Sequence, residues 1–72
     1  MAQFCERLKQ LRVERGLKQR EMAEHFGLAL SSYQCYEYAL RYPDFHGLIT
    51  IADFFDVSLD YLVGRSEVRE RR

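Results

Sequence analysis

Reactive side chains are few in this 72-residue chain, and they do not gather. Cys5 and Cys35 form no C-x-x-C and have no second pair, so neither a disulfide framework nor a thiolate metal site is encoded. His25 and His46 lie far apart without companion ligands and read as surface residues. Asp53, Asp56 and Asp60 are like a metal site in spacing only. Asp60 falls in the first turn of an expected helix, where a carboxylate complements the helix dipole, and the other two read as solvated. No nucleophile stands beside a base. The expectation is no enzyme, no metal, no cofactor and no small-molecule substrate, which leaves binding as the function to explain.

A second group of side chains is suited to nucleic acid. Tyr33, Tyr36, Tyr38 and Tyr42 crowd one short stretch. They could form a stacking platform for single strands, but Tyr33 and Tyr36, three apart, read as the inner face of a helix, leaving only Tyr38 and Tyr42 outside. Cys35 shares that helix, on the face expected to meet DNA, and a redox switch there is the lesser reading beside a plain surface thiol. Cys5, beside Phe4, reads as a small half-buried hydrophobe.

The elements that must position these residues are helices. Phe4, Leu8 and Leu11 recur at i, i+4, i+7, and Gly16 is placed to follow the first helix. Met22, Ala23 and Phe26 share a side of a second, from about Gln19 to Phe26, which Gly27 ends. A third runs from about Leu30 to Ala39. Pro43 forbids its continuation, and Asp44 can cap a fourth from about Phe45 to Phe55, with Leu48, Ile51, Ala52 and Phe55 in register. Ser58 caps a short fifth through Val63, closed by Gly64. No run alternates as a strand does. The expected core is Leu8, Leu11, Leu17, Met22, Ala23, Phe26, Leu28, Tyr36, Leu48, Ile51, Ala52, Leu59 and Leu62, with Tyr33 beside Tyr36.

Between the second and third helices the requirements of a tight helix corner are met together. Ala23 is small where the third helix must approach, Gly27 tolerates positive φ at the turn, and Tyr33 docks the third helix on the core. The stretches RLKQLRVERGLKQREMAEHFGLALSSYQCYE and RYPDFHGLITIADFFDVSLDYLVGR resemble the lambda-repressor-like helix-turn-helix family, of the Cro/C1 or xenobiotic-response-element type, over about residues 4–65. The Gly-Leu-x-Gln at Gly16 to Gln19, the Tyr36-Glu37 pair, the single proline and the segment at 52–64 carry the resemblance together.

The resemblance implies an all-α, five-helix DNA-binding domain over 1–65, with the helix-turn-helix at helices two and three and a basic tail at 66–72. It implies a sequence-specific transcriptional regulator, a repressor that binds a palindromic operator in double-stranded DNA as a homodimer. By position, Gln19 matches a glutamine that meets the DNA backbone or a base. Leu30, Ser31, Ser32 and Cys35 match positions facing base edges, with Ala29 just before them and Gln34 able to hydrogen-bond among them. Tyr38 falls near the sugar-phosphate chain and Arg41 in the loop along it. Arg12 and Glu37 match a structural ion pair between helices one and three. Dimerisation is expected near the fifth helix, through a partly exposed Tyr61 and Val63.

Departures from the family pattern affect affinity. Lys18 and Ala29 replace the usual hydroxyl caps, each cap being worth about 1 kcal/mol. Tyr33 stands for an aliphatic residue and Ala39 for a glycine. No Lys or Arg occurs between Leu28 and Leu40, so the arginine–guanine contact is missing from the recognition helix.

Composition bounds the rest. A 47% hydrophobic fraction supports one small core, in a domain that buries roughly 60% of its unfolded surface. Formal charge is zero, with eleven cations against eleven anions, yet it is sorted along the chain. Residues 1–26 carry a net +2, residues 48–64 three acids and no base, and residues 65–72 again +2. The last eight residues read as a frayed basic tail able to touch DNA backbone. Neither a signal core nor a membrane span occurs, so no membrane contact and a cytoplasmic location are expected. The neutral total and a third helix without Lys or Arg favour an alternative on the same scaffold, a protein-interaction module of antitoxin or antirepressor type.

Overall fold

A computed structural model describes residues 3–71; Met1 and Ala2, at the start of the expected domain, and Arg72, at the end of the expected tail, lie outside it. Five helices follow one another: α1 (Phe4–Glu14), α2 (Gln19–Phe26), α3 (Leu30–Glu37), α4 (Phe45–Phe55) and α5 (Leu59–Leu62). Among the described residues there is no strand, and no helix is long and apolar enough to cross a membrane. The third and fifth helices end a residue or two earlier than their periodicity predicts.

All five helices stop the same way. One residue turns left-handed and the next amide reaches back to the carbonyl five residues earlier, satisfying an end that would otherwise be orphaned. The bonds are Leu17 N to Arg12 O at 3.1 Å, Leu28 N to Ala23 O at 2.8 Å, Leu40 N to Cys35 O at 3.0 Å, Val57 N to Ala52 O at 3.0 Å and Arg65 N to Asp60 O at 2.8 Å. Glycine occupies the left-handed position in three of these turns, Gly27 (φ 67°) being the one inside the helix-turn-helix. Ala39 (φ 62°) and Asp56 (φ 54°) fill the other two.

Helix starts are less uniform. Asp44 accepts from Gly47 N at 2.8 Å and Ser58 from Tyr61 N at 3.0 Å. Lys18 offers no side-chain cap, but its own N–H donates to the Glu21 carboxylate at 2.8 Å, half of a capping box. Ala29 leaves α3 with no side-chain cap, as its type requires.

Helix α3 packs on α2 and α1, while α5 packs on α1 and α4. The shared core holds Phe4, Leu8, Leu11, Met22, Ala23, Tyr33, Ile51, Ala52, Phe55, Val57, Tyr61 and Leu62, and every residue of the expected core lies in it or against it. Tyr61 corrects an expectation: it is 5% exposed, not a partly open dimer contact. Two arginines cover it. The guanidinium of Arg7, itself 4% exposed, lies 3.9 Å from the ring centroid, and Arg69 Nε donates to the Tyr61 hydroxyl at 2.9 Å.

The same arginines show that the C-terminal segment is not frayed. Arg7 Nη1 donates to Ser66 O at 3.2 Å, and Val68 O and Arg69 O accept from Ser58 Oγ and Ser58 N at 3.0 and 2.8 Å. Arg69 grips Glu14 with two bonds of 2.8 and 2.7 Å, and Arg71 pairs with Asp53. The basic end thus lies against acids of α1 and the acidic 48–64 stretch, which accounts for the sorting of charge along the sequence.

Ala39 generates a test. A left-handed alanine costs about 1 kcal/mol that glycine avoids. Ala39→Gly should raise unfolding stability by about that amount in urea titration, and an unchanged or lower midpoint would mean the turn is not strained. Tyr61→Asp, placing a carboxylate in the core, should unfold the domain rather than only shift its assembly.

Candidate nucleic-acid interface

Glu37, on the last turn of α3, anchors the network behind the candidate surface, its side chain only 1% exposed. Its carboxylate accepts from Arg12 Nε at 2.6 Å and Arg12 Nη2 at 3.1 Å, a two-pronged grip from α1. It also accepts from Gln19 Nε2 at 3.1 Å and from the Tyr33 hydroxyl one turn earlier on α3. The remaining prong of Arg12 donates to Leu17 O at 2.8 Å, in the link between α1 and α2. One ion pair therefore holds α1, that link, the start of α2 and the whole of α3 in a fixed relation. Tyr33 can replace an aliphatic docking residue because this carboxylate satisfies its buried hydroxyl.

The electrostatics agree with the geometry. Burial pushes the Glu37 carboxyl up, but the hydrogen bonds from Arg12, Tyr33 and Gln19 pull harder, and it stays below the ordinary 4.5. Its hydrogen bond raises the Arg12 pKa despite desolvation. Burial, reinforced by the adjacent carboxylate, raises Tyr33, so its phenol stays protonated and donating.

The network continues outward. Gln34 Nε2 donates to Gln19 Oε1 at 3.1 Å, and Gln19 Nε2 also approaches the Tyr38 hydroxyl at 3.4 Å. Gln19, Gln34 and Tyr38 are thus brought together on the outer side of α2 and α3. Ala29, Ser31 and Tyr38 are exposed, and Leu30, Ser32, Gln34 and Cys35 are half-buried. Ser31, Gln34, Cys35 and Tyr38 recur at helical spacing, so they line one strip of α3. Arg41 is exposed, and its N–H bonds to Cys35 O at 3.3 Å, which holds the loop against the end of α3. Val63 is half-buried at the opposite end of the sequence. Lys18 and Arg20 add exposed cations at the start of α2.

Sequence reasoning finds the Arg12–Glu37 pair but misses what it touches. The Gln19–Gln34 bond crosses two helices and has no local signal. The rescue of Lys18 by Glu21 was readable, since an acid three residues after a helix start is the capping-box spacing.

Breaking the pair has a defined cost. Removing one partner of a buried ion pair costs about 3–5 kcal/mol, because the other charge is left unpaired. Arg12→Ala should therefore unfold the domain or lower its melting point sharply, and an unchanged melting point would contradict the burial. The native Glu37 pKa lies below the unfolded 4.5, so its contribution is full above that pH and is lost as pH falls through the lowered value. Urea stability should fall with acid in the wild type and less steeply in Glu37→Gln.

Comparison with known proteins gives a consistent picture. A profile described as a helix-turn-helix domain matches residues 5–66. The HTH-type transcriptional regulator YobD of Bacillus subtilis is 39% identical over 64 residues, which cover 89% of this chain and 57% of YobD. The cryptic phage CTXphi transcriptional repressor RstR of Vibrio cholerae is 38% identical over 60 residues, 83% of this chain and 54% of RstR. The crystal structure of a transcriptional regulator from Listeria innocua superposes with a TM-score of 0.81 at 37% identity, covering 86% of this chain and 58% of that one. The chain spans little more than half the length of these relatives.

Proposed function

The chain belongs to the helix-turn-helix domain family, and from that premise we propose that it is the DNA-binding part of a transcriptional regulator, a repressor that binds a palindromic operator as a homodimer. The observation that carries the reading is the Arg12–Glu37–Gln19 network, which fixes the start of α2 against α3 and leaves one polar strip of α3 facing out. A helix seated in the major groove shows such a strip to base edges, while the start of α2 and the loop after α3 straddle phosphates. The name of RstR as a repressor supports the direction of regulation. Two-fold assembly would set two such strips one helical turn apart on DNA. With Tyr61 buried, Val63 is left as the contact expected near α5.

In this reading Arg41 acts on the backbone, and so does Gln19 once the N–H it shares with the Tyr38 hydroxyl at 3.4 Å turns to a phosphate, whereas Leu30, Ser31, Ser32, Gln34 and Cys35 face bases, with Ala29 and Tyr38 at the two ends of the helix. Backbone contacts release counterions and weaken binding uniformly when lost; base contacts change which sequence is preferred. A second reading, a protein-interaction module, is favoured by the exposed apolar side chains after α3, where Leu40 is 72% and Phe45 71% exposed.

Site selection from random duplexes, read with substitutions, separates the two. Arg41→Ala should weaken all duplexes alike and reduce the salt slope by about one. Ser32→Ala should reorder sequences at one base position by roughly 1–3 kcal/mol. Selection that yields no motif, with the two variants behaving alike, would replace the regulator by the interaction module. Sedimentation showing only monomer at all concentrations, with and without operator, would remove the dimer.

A further inference from the structure

At each helix stop the residue after the left-handed one sends its N–H back along the helix, and where that residue is apolar its side chain ordinarily folds in as well. Val57 lies in the core, and Leu17 and Leu28 pack against it. Leu40 makes the same backbone bond, to Cys35 O at 3.0 Å, yet its side chain is 72% exposed. It has company. Among the described residues six large hydrophobic side chains are exposed, and four of them, Tyr38, Leu40, Tyr42 and Phe45, fall within residues 38–45. The other two, Val13 and Val68, lie on α1 and in the C-terminal segment. Helix α5 presents none, since Tyr61 is buried and Val63 beside it is half-buried.

The segment is not a loose loop. Leu40 N and Arg41 N both donate to Cys35 O, the Tyr42 ring centroid lies 6.0 Å from that of Phe4, and Asp44 caps α4. An exposed apolar patch held this firmly is preorganised for a partner. It carries one charge of each sign, Arg41 and Asp44, and neither forms an ion pair among the described residues.

We propose that residues 38–45 are the surface on which a second copy of this chain docks, with Leu40 and Phe45 at the contact and Arg41 of each copy reaching Asp44 of the other. The proposal rests on the homodimer reading and deepens it, moving the contact from Val63 to the segment after α3. Two arguments select a second copy over a different partner. A two-fold contact matches a surface to itself, so a charged patch suits it only when both signs are present and each is answered by its opposite across the axis. And two α3 helices can enter successive turns of one major groove only if the copies meet beside the DNA-facing strip. Residues 38–45 begin on that strip, at Tyr38, and lead away from it. A guanidinium has donors enough for an acid of the second copy and for a phosphate.

The test is sedimentation equilibrium over a range of concentrations on the wild type, Phe45→Glu, Leu40→Asp and Val63→Ser, with urea unfolding to show that each is folded. Phe45 opens α4, where an acid suits the helix dipole, so Phe45→Glu should keep its fold. Phe45→Glu and Leu40→Asp should each weaken self-association by roughly tenfold or more, and Val63→Ser should leave it unchanged. Arg41→Glu and Asp44→Lys each set like charges against each other in their own dimers, yet mixing them restores both opposite-charge pairs. Either alone should self-associate weakly, and an equimolar mixture should dimerise nearly as the wild type does. Phe45→Glu and Leu40→Asp proteins that dimerise like the wild type, or loss of the dimer in Val63→Ser alone, overturn the patch and leave the homodimer standing. A mixture no tighter than its components overturns the charge pairing. A wild type that stays monomeric, free and on duplex, overturns the proposal and the homodimer together, and site selection then decides the regulator reading separately.

Discussion

The Arg12–Glu37 ion pair is the constraint on which the helix-turn-helix depends. Taking both charges out of water is expensive, and their attraction offsets that cost only when every remaining lone pair and proton is matched. Here no buried side-chain nitrogen or oxygen lacks a partner among the described residues: Glu37 receives Arg12 twice, Gln19 and Tyr33, and Arg12 also reaches Leu17 O. An apolar pair of the same volume could hold α1 to α3 as firmly. It could not orient Gln19, satisfy the Tyr33 hydroxyl or tie down the link before α2. What the charges add is direction, and direction is what a surface that reads hydrogen bonds needs.

The other end of the molecule solves a different problem. Helix α5 is one turn long and could not bury its own apolar residues. It is covered by Arg7, whose guanidinium lies 3.9 Å from the Tyr61 ring centroid, and by the C-terminal segment, from which Arg69 reaches the Tyr61 hydroxyl. The tail cations lie on carboxylates of α1 and of the 48–64 stretch, so that stretch's negative charge is countered within the domain. Arg69 and Arg71 are occupied there, so the proposed DNA contact would fall to the exposed cations at the start of α2 and in the loop after α3.

Helix positions were legible because they rest on local rules. Apolar spacing located α1, α2 and α4 closely, Asp44 and Ser58 marked two starts, and Gly16, Gly27 and Gly64 marked three stops. The Arg12–Glu37 pair was legible only through family resemblance, since nothing in the spacing of two charges on different helices announces a contact. Tyr61 was misread because a short apolar helix looks like surplus surface until the arginines that cover it are known, and those come from the two ends of the chain. The tail was misread for the same reason: its basic character suggests solvent or DNA, whereas its partners are acids remote in sequence. The Gln19–Gln34 contact could not be read at all, because it follows from the angle between two helices.

The central claim, that two buried charges act as one unit, is tested most directly by a double-mutant cycle. Arg12→Gln, Glu37→Gln and the double variant would be compared with the wild type by urea unfolding at neutral pH. If each charge is costly only when its partner is gone, the double variant should be more stable than the sum of the single losses predicts, by about 2 kcal/mol or more. Single losses that simply add, within about 0.5 kcal/mol, would contradict the account and make the pair an incidental contact.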